Sequence, residues 1–226
     1  MKNSNRVIAF VMMVLMVFAL CACSANSNDV SGKTETGTPS AAPENELELG
    51  VVSGGKYEND YFGFGCELDE SWIYANEEQL LAMVQTTADL VNDADAKDKI
   101  LDADMFYDML AVYGDGTGST TINVVVENIG FAYGTLLDEE SMVEQTIKEL
   151  PDQLKAASME VQSCEHYTAV LGSTEHDAIY THSTVNGTDI YQLQVFVKVG
   201  SYVAIVTLSS PLEDNIDAML SFFYGV

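Results

Sequence analysis

The chain opens on an unbroken apolar run of 14 residues, Val7 to Leu20, then loses apolar periodicity until about residue 56 and carries patterned segments to its end. Tyr57 to Trp72 reads as two short strands around Asn59-Asp60, followed by a turn at 69–71. Phe62, Phe64, Cys66 and Leu68 alternate and share one strand face, leaving Gly63 and Gly65 on the other. Asn76 suits an N-cap, with Glu77 and Glu78 in the first turn. The helix it opens has Leu80, Leu81, Val84, Ala88 and Val91 as its apolar stripe. The acidic stretch 92–104 continues as a second short helix. Strands Met105–Tyr113 and Thr120–Asn128 follow, joined by a turn containing Gly114, Gly116 and Gly118. Another helix starts near Asp138 with Val143, Ile147, Leu150 and Leu154 as its stripe, and Pro151 should kink it or begin a new turn.

The last third carries the clearest alternation. Strands Glu160–Leu171, His176–Val185, Thr188–Val199 and Ser201–Ser209 form a meander, with two-residue turns at Asn186-Gly187 and Gly200-Ser201. Such turns pair Val185 with Thr188 and Val199 with Tyr202. That register gathers Tyr180, His182, Tyr191, Leu193, Val195, Val197, Tyr202, Ala204, Val206 and Leu208 on one core face. The opposite face mixes Thr181, Ser183, Gln192, Gln194, Lys198 and Thr207 with Ile179, Ile190, Phe196, Val203 and Ile205; it is either partly covered or a binding surface. Ser210 as N-cap, Pro211 at the first helical position and Glu213 completing a capping box predict a final helix. Ile216, Met219, Leu220 and Phe223 would pack it on the sheet. The order is β-β-α-β-β-α-β-β-β-β-α, an α+β domain whose antiparallel sheet is flanked by helices.

The unpatterned start reads as an address. Lys2 and Arg6 precede the Val7–Leu20 run, which is too short to span a bilayer and suits a signal peptide. Leu20-Cys21-Ala22-Cys23 resembles the bacterial lipobox, and the small Ala22 before it selects Cys23 as the lipidated residue. Residues 1–22 are then a lipoprotein signal peptide and 23–55 a lipidated tether rich in Ser, Asn, Thr, Gly, Ala and Pro. Residues 56–226 make one domain. Val51-Val52 offers a short edge strand, but composition assigns it to the tether. The expected location is the extracytoplasmic face of a bacterial cell membrane, where two or three acyl chains anchor stably.

Charge narrows the partners. There are 35 acidic and 9 basic residues, a net charge of −26, with 47% hydrophobic residues. Nucleic acid is excluded, because phosphate binding needs clustered Lys and Arg; docking on anionic lipid by charge is excluded likewise. Lys2 and Arg6 leave with the leader, so the exported chain has 7 basic residues against 35 acidic, a charge of −28, and no arginine. That removes the side chain best suited to bidentate anion recognition.

The aromatic-rich hairpin of Tyr57 to Trp72, leading to a tryptophan and a helix, resembles the opening of the PsbP-like fold. Photosystem extrinsic proteins, a Ran-binding nuclear-transport factor and many bacterial lipoproteins share that fold, and its element order is similar across residues 56–226. Glu70-Ser71 stand where a proline often precedes the tryptophan. The resemblance implies an α-β-α sandwich used mostly for protein binding or scaffolding, and it carries over no catalytic residue.

No nucleophile-elbow, zinc-protease, phosphate-loop or C-x-x-C motif occurs in the domain. Cys164 and His166 lie two apart on one strand face, so a thiol nucleophile beside a base is conceivable; the plain reading is a surface-facing pair. Cys66 belongs to an apolar stripe as a buried thiol, and a Cys66–Cys164 disulfide is the other possibility in an oxidising compartment. Asp93, Asp95, Asp98, Asp102 and Asp104 invite calcium, but the loop lacks the required glycine and terminal glutamate, and a solvated helix face is expected instead. His182 should face Tyr191 across its hairpin. Asn186-Gly187-Thr188 matches a glycosylation sequon and reads as a turn. No metal or cofactor is expected. The leading function is a non-enzymatic, lipid-anchored domain that binds or organises a protein or envelope component. The alternatives are a small-molecule or cation-binding lipoprotein of a transport or sensing system and, more remotely, a cysteine-dependent hydrolase.

Overall fold

Asn186 and Gly187 both take positive φ, 50° and 81°, as a two-residue hairpin loop must if its strands are to twist together. The chain is described here by a computed structural model covering residues 47–90, 105–114 and 120–226. The leader, Cys23, the tether up to residue 46, Val91, the acidic stretch 92–104, and Gly116 and Gly118 lie outside the described residues. The meander forms in the expected register, with Val185 opposite Thr188 and Val199 opposite Tyr202. Its strands are β7 (Glu160–Leu171), β8 (Thr174–Val185), β9 (Thr188–Val199) and β10 (Tyr202–Pro211). With β4 (Trp72–Tyr74), β5 (Met105–Tyr113) and β6 (Thr121–Asn128) they make a seven-stranded antiparallel sheet, ordered β4-β5-β6-β10-β9-β8-β7.

A smaller sheet lies against the expected core face. It joins β1 (Val51–Ser53), β2 (Lys56–Asn59), β3 (Phe64–Glu67) and the C-terminal β11 (Phe223–Gly225) in the order β1-β2-β3-β11. Tyr57, Phe62, Phe64, Cys66 and Leu68 from this sheet pack with Leu193, Val195, Val197, Ala204, Val206 and Leu208 in one buried cluster. The other face of the large sheet carries α3 (Glu139–Ala156), whose Val143, Leu150 and Leu154 meet Ile179, Ile190, Phe196, Val203 and Ile205. Beside it α1 (Glu77–Leu90) sets Leu80 and Met83 on Met105, Tyr107, Leu110 and Val125. The class is α+β with antiparallel sheets.

Helix starts follow local chemistry. Asn76 Oδ1 accepts from the Gln79 N–H and Gln79 Oε1 from the Asn76 N–H, at 2.9 and 2.8 Å, a reciprocal capping box. Asp138 caps α3 by accepting the Ser141 N–H at 2.9 Å. A short helix α2 (Gly130–Leu136) precedes it, held against the β9–β10 turn at Gly134, where a Cβ would come within 2.7 Å of the Gly200 carbonyl oxygen.

Several expectations need correction. Val51–Ser53, assigned by composition to the tether, pair with Lys56–Glu58 as β1, so the folded part starts before residue 56. Leu81 is exposed at 68%, because the α1 stripe runs through Leu80 and Met83 instead. Helix α3 is continuous through Pro151, so of the two outcomes expected there no new turn begins. The final helix α4 spans only Ile216–Leu220 with Asn215 as N-cap. Pro211 instead ends β10 opposite Ile190, where a strand needs no further N–H; Ser210 Oγ donates to the Glu213 carbonyl in a local turn. Phe223 belongs to β11. The structure adds β1, β4, α2 and β11 to the predicted order, and strands share with α4 the layer that the family resemblance assigns to helix.

One buried carboxylate joins the two sheets. The β5–β6 register slips between Tyr107 and Met109, a bulge at Asp108. Asp108 consequently faces the small sheet, where Oδ2 accepts from the Tyr57 hydroxyl at 2.6 Å and from Asn59 Nδ2 at 2.8 Å. The Gly50 N–H reaches both carboxylate oxygens at 3.0 Å. Gly50 must be glycine, since a Cβ there would lie 2.2 Å from the Tyr57 ring. Asp108→Ala leaves the Tyr57 hydroxyl and Asn59 amide buried without their acceptor, at about 1–3 kcal/mol each. Urea unfolding should show a loss of about 3 kcal/mol or more; a loss below about 1 kcal/mol would contradict this role.

Candidate functional site

The candidate nucleophile and base do not form a pair. Cys164 lies half-buried in the apolar cluster under α3, not on the surface as expected. Burial, aided by the Glu165 carboxylate, pushes its thiol up to about 11. His166 Nε2 is instead bonded to Asp177 Oδ1 at 2.7 Å. A protonated thiol and an occupied imidazole lack the arrangement that activates a nucleophile. Cys66 and Cys164 are both free thiols, Cys66 between the two sheets and Cys164 on the helical side of the large one.

The other histidines are also tied to carboxylates. His182 stacks on Tyr191 at 4.5 Å across the hairpin and bonds Asp189 Oδ1 at 2.8 Å. His176 Nδ1 meets both Glu139 oxygens at 3.1 and 3.0 Å, while Glu139 Oε1 also accepts the Lys198 backbone N–H at 2.8 Å. Glu139, with residues 134–138 and Lys198, walls an open groove of about 430 Å3. The Asp138 carboxyl at its rim is held below its usual range by its hydrogen bonds to Ser141. Asp138 is therefore occupied as the cap of α3 and Glu139 in tying α3 to β8 and β9, and the groove presents no poised acid–base pair among the described residues.

The mixed face of the sheet holds the less ordinary chemistry. It is covered, not open: Thr181, Gln192, Gln194, Thr207 and Ser209 are each at most 1% exposed. Register sets Thr181 opposite Gln192, Gln192 opposite Ser209 and Ser209 opposite Thr121, a polar row across β8, β9, β10 and β6. One end adjoins Cys164 in the α3 cluster and the other adjoins Val112 in the α1 cluster. Thr181 Oγ1, both polar atoms of Gln192, Ser209 Oγ and Thr121 Oγ1 have no partner among the described residues. Each such atom costs about 1–3 kcal/mol when buried, so together they rival the roughly 5–15 kcal/mol that holds a whole domain folded. A row that expensive needs hydrogen-bonding partners.

No protein-family model matches the chain, and no curated protein is significantly similar to it. A solved structure from Bacteroides thetaiotaomicron VPI-5482 resembles it at a TM-score of 0.38 and 11% identity, over 80% of this chain and 49% of that one. This chain thus spans about half the length of that neighbour. A likeness of that degree carries no argument about activity.

Sequence reasoning placed Thr181, Gln192 and Gln194 on one face but missed Ser209 and Thr121, because Thr121 opens β6 and Ser209 lies near the end of β10, where polar residues read as turn-forming. The signal was present: Ser209 falls two residues beyond Thr207 and so shares its face. Glu149 and Gln153 of α3 were missed as well, and each has one buried side-chain oxygen without a partner among the described residues.

The thiols give a check on the geometry. Burial pushes Cys66 up to about 11 as well, against an ordinary value of 9.0. The folded state therefore holds these protons more tightly than the unfolded chain. The stability contributed is complete below pH 9 and lost as pH rises toward about 11. At pH 8, alkylation of Cys164 by iodoacetamide should run about a hundredfold slower than in the unfolded chain, followed by mass spectrometry of the modified peptide. Equal rates in the folded and unfolded chain would contradict the buried placement.

Proposed function

We propose that the chain is a lipid-anchored, extracytoplasmic binding domain, tethered through Cys23 and performing no catalysis of its own. The leader, ending in Leu20-Cys21-Ala22-Cys23, carries this reading, and the candidate nucleophile Cys164 argues against catalysis, since its thiol is raised and His166 is bonded to Asp177 instead. Support for the anchor comes from Lys2 and Arg6, the apolar run and Leu20-Cys21-Ala22-Cys23, followed by a segment of tether-like composition up to residue 46. The PsbP-like assignment belongs to the same proposal, supported by the hairpin that delivers Trp72 between Tyr113 and Phe222, at ring distances of 5.4 and 6.1 Å.

A protein partner in the envelope is the second reading. Phe131 and Leu136, exposed at 75% and 79% on α2 beside the groove, favour it. Fractionating a bacterial host that expresses the full chain tests the anchor: wild type should sediment with membranes, and Cys23→Ala should move to the soluble fraction. A Cys23→Ala chain that stays on the membrane in undiminished amount would refute it.

A further inference from the structure

Among the described residues the sheet edges are short, with one exception. β1, β4 and β11 each have 3 residues, whereas β7 closes the large sheet with 12. Short edges keep foreign strands from adding on, and lysine, proline or a bulge does the same. Glu160–Leu171 contains neither lysine nor proline, and beyond the shift at Val161/Ser163 its pairing is regular to Leu171. Its outer side pairs with no strand among the described residues. We propose that this edge is a docking strand, to which a basic, extended segment of a partner protein adds; the inference rests on the binding reading above and supplies its partner class.

The backbone provides the attachment. Leu171 and Thr174 pair across Gly172-Ser173, with Gly172 at φ 66°, so they exchange the hydrogen bonds that close this two-residue hairpin. Alternation then turns the N–H and C=O of Ala169, Tyr167 and Glu165 towards β8, and those of Val170, Thr168 and His166 outward. Side chains select the partner. Ala169 and Leu171 lie in the cluster between the sheets, so Glu165 and Tyr167 share their face of the strand. Glu165 is exposed and Tyr167 is 41% exposed. Lys or Arg at alternate positions of an added strand gains an ion pair with the first and a ring face from the second. Glu160 and Glu175 place further exposed carboxylates towards the two ends of β7. His166, the strand's one basic side chain, is already bonded to Asp177. A second copy of this chain is disfavoured, because two chains with 35 acidic residues each repel one another.

The test measures binding of fluorescent peptides of about nine residues to the full exported chain. One peptide alternates Lys with Thr. A second alternates Lys with Pro, which keeps the charge but removes N–H groups that a ladder needs. A third alternates Glu with Thr. The first should bind at least about tenfold tighter than either of the others. Thr168→Pro removes an outward N–H and leaves the β8 ladder intact, so its Tm should stay close to that of wild type while binding falls about tenfold. Glu165→Lys should weaken binding several-fold, and serves if Thr168→Pro does not fold. The docking strand is overturned if the Lys/Thr peptide does not bind, if either control peptide binds as tightly, or if the folded variant binds like wild type. It is overturned equally if the chain alone dimerises and Thr168→Pro makes it monomeric, since the occupant is then a second copy. A chain that sediments with membranes through Cys23 but binds no peptide loses this surface and keeps the anchoring reading.

Discussion

The packing of one sheet on the other depends on a single buried carboxylate. Apolar contact between the sheets is non-directional and would tolerate sliding. Asp108 removes that freedom, because its two oxygens take hydrogen bonds from three places on the small sheet and its approach: Gly50, Tyr57 and Asn59. A charge is stable there only while those donors surround it. Asn59 extends the arrangement by accepting the Phe62 N–H at 3.0 Å, which sets the turn into β3. The bulge in β5 makes this possible, since it places Asp108 and Met109 on the same side of the sheet while Tyr107 and Leu110 pack under α1.

With its core face fixed in this way, the large sheet is left with an unequal second face. Apolar positions there are matched by α3 and α1, each with its own cluster, and the polar row runs from one cluster to the other. This is the reverse of an ordinary buried face, where every position is apolar or paired. Natural proteins retain such local inconsistency chiefly where function requires it.

Much of this fold was legible in the chain, and the reasons are specific. The meander could be read because Asn-Gly fixes loop length, loop length fixes register, and register fixes both faces. Asp138 and Asn76 announced their helices through capping chemistry that operates within four residues. What stayed hidden depends on distant partners. Asp108 reads as an interruption in an apolar strand until Tyr57 and Asn59 are brought to it, and Val51-Val52 reads as tether until Lys56–Glu58 pair with it. Ser210-Pro211 misled because a helix-start signature and a strand-end proline share the same residues, and the choice was made by pairing with Ile190. The face bearing Gln192 was identified, but whether it was covered could not follow from alternation alone.

The position of Gly50 has a mechanical meaning. Tension reaching the domain from its N-terminal side would load β1 at Val51, the end at which the β1–β2 ladder begins, and would open that ladder one rung at a time. The Gly50 N–H, bonded to both oxygens of Asp108, stands immediately ahead of the first rung. Pull is therefore taken up by the carboxylate and passed into the long central sheet, where it is spread over whole strands. The clamp thus keeps such a pull off the β1–β2 ladder.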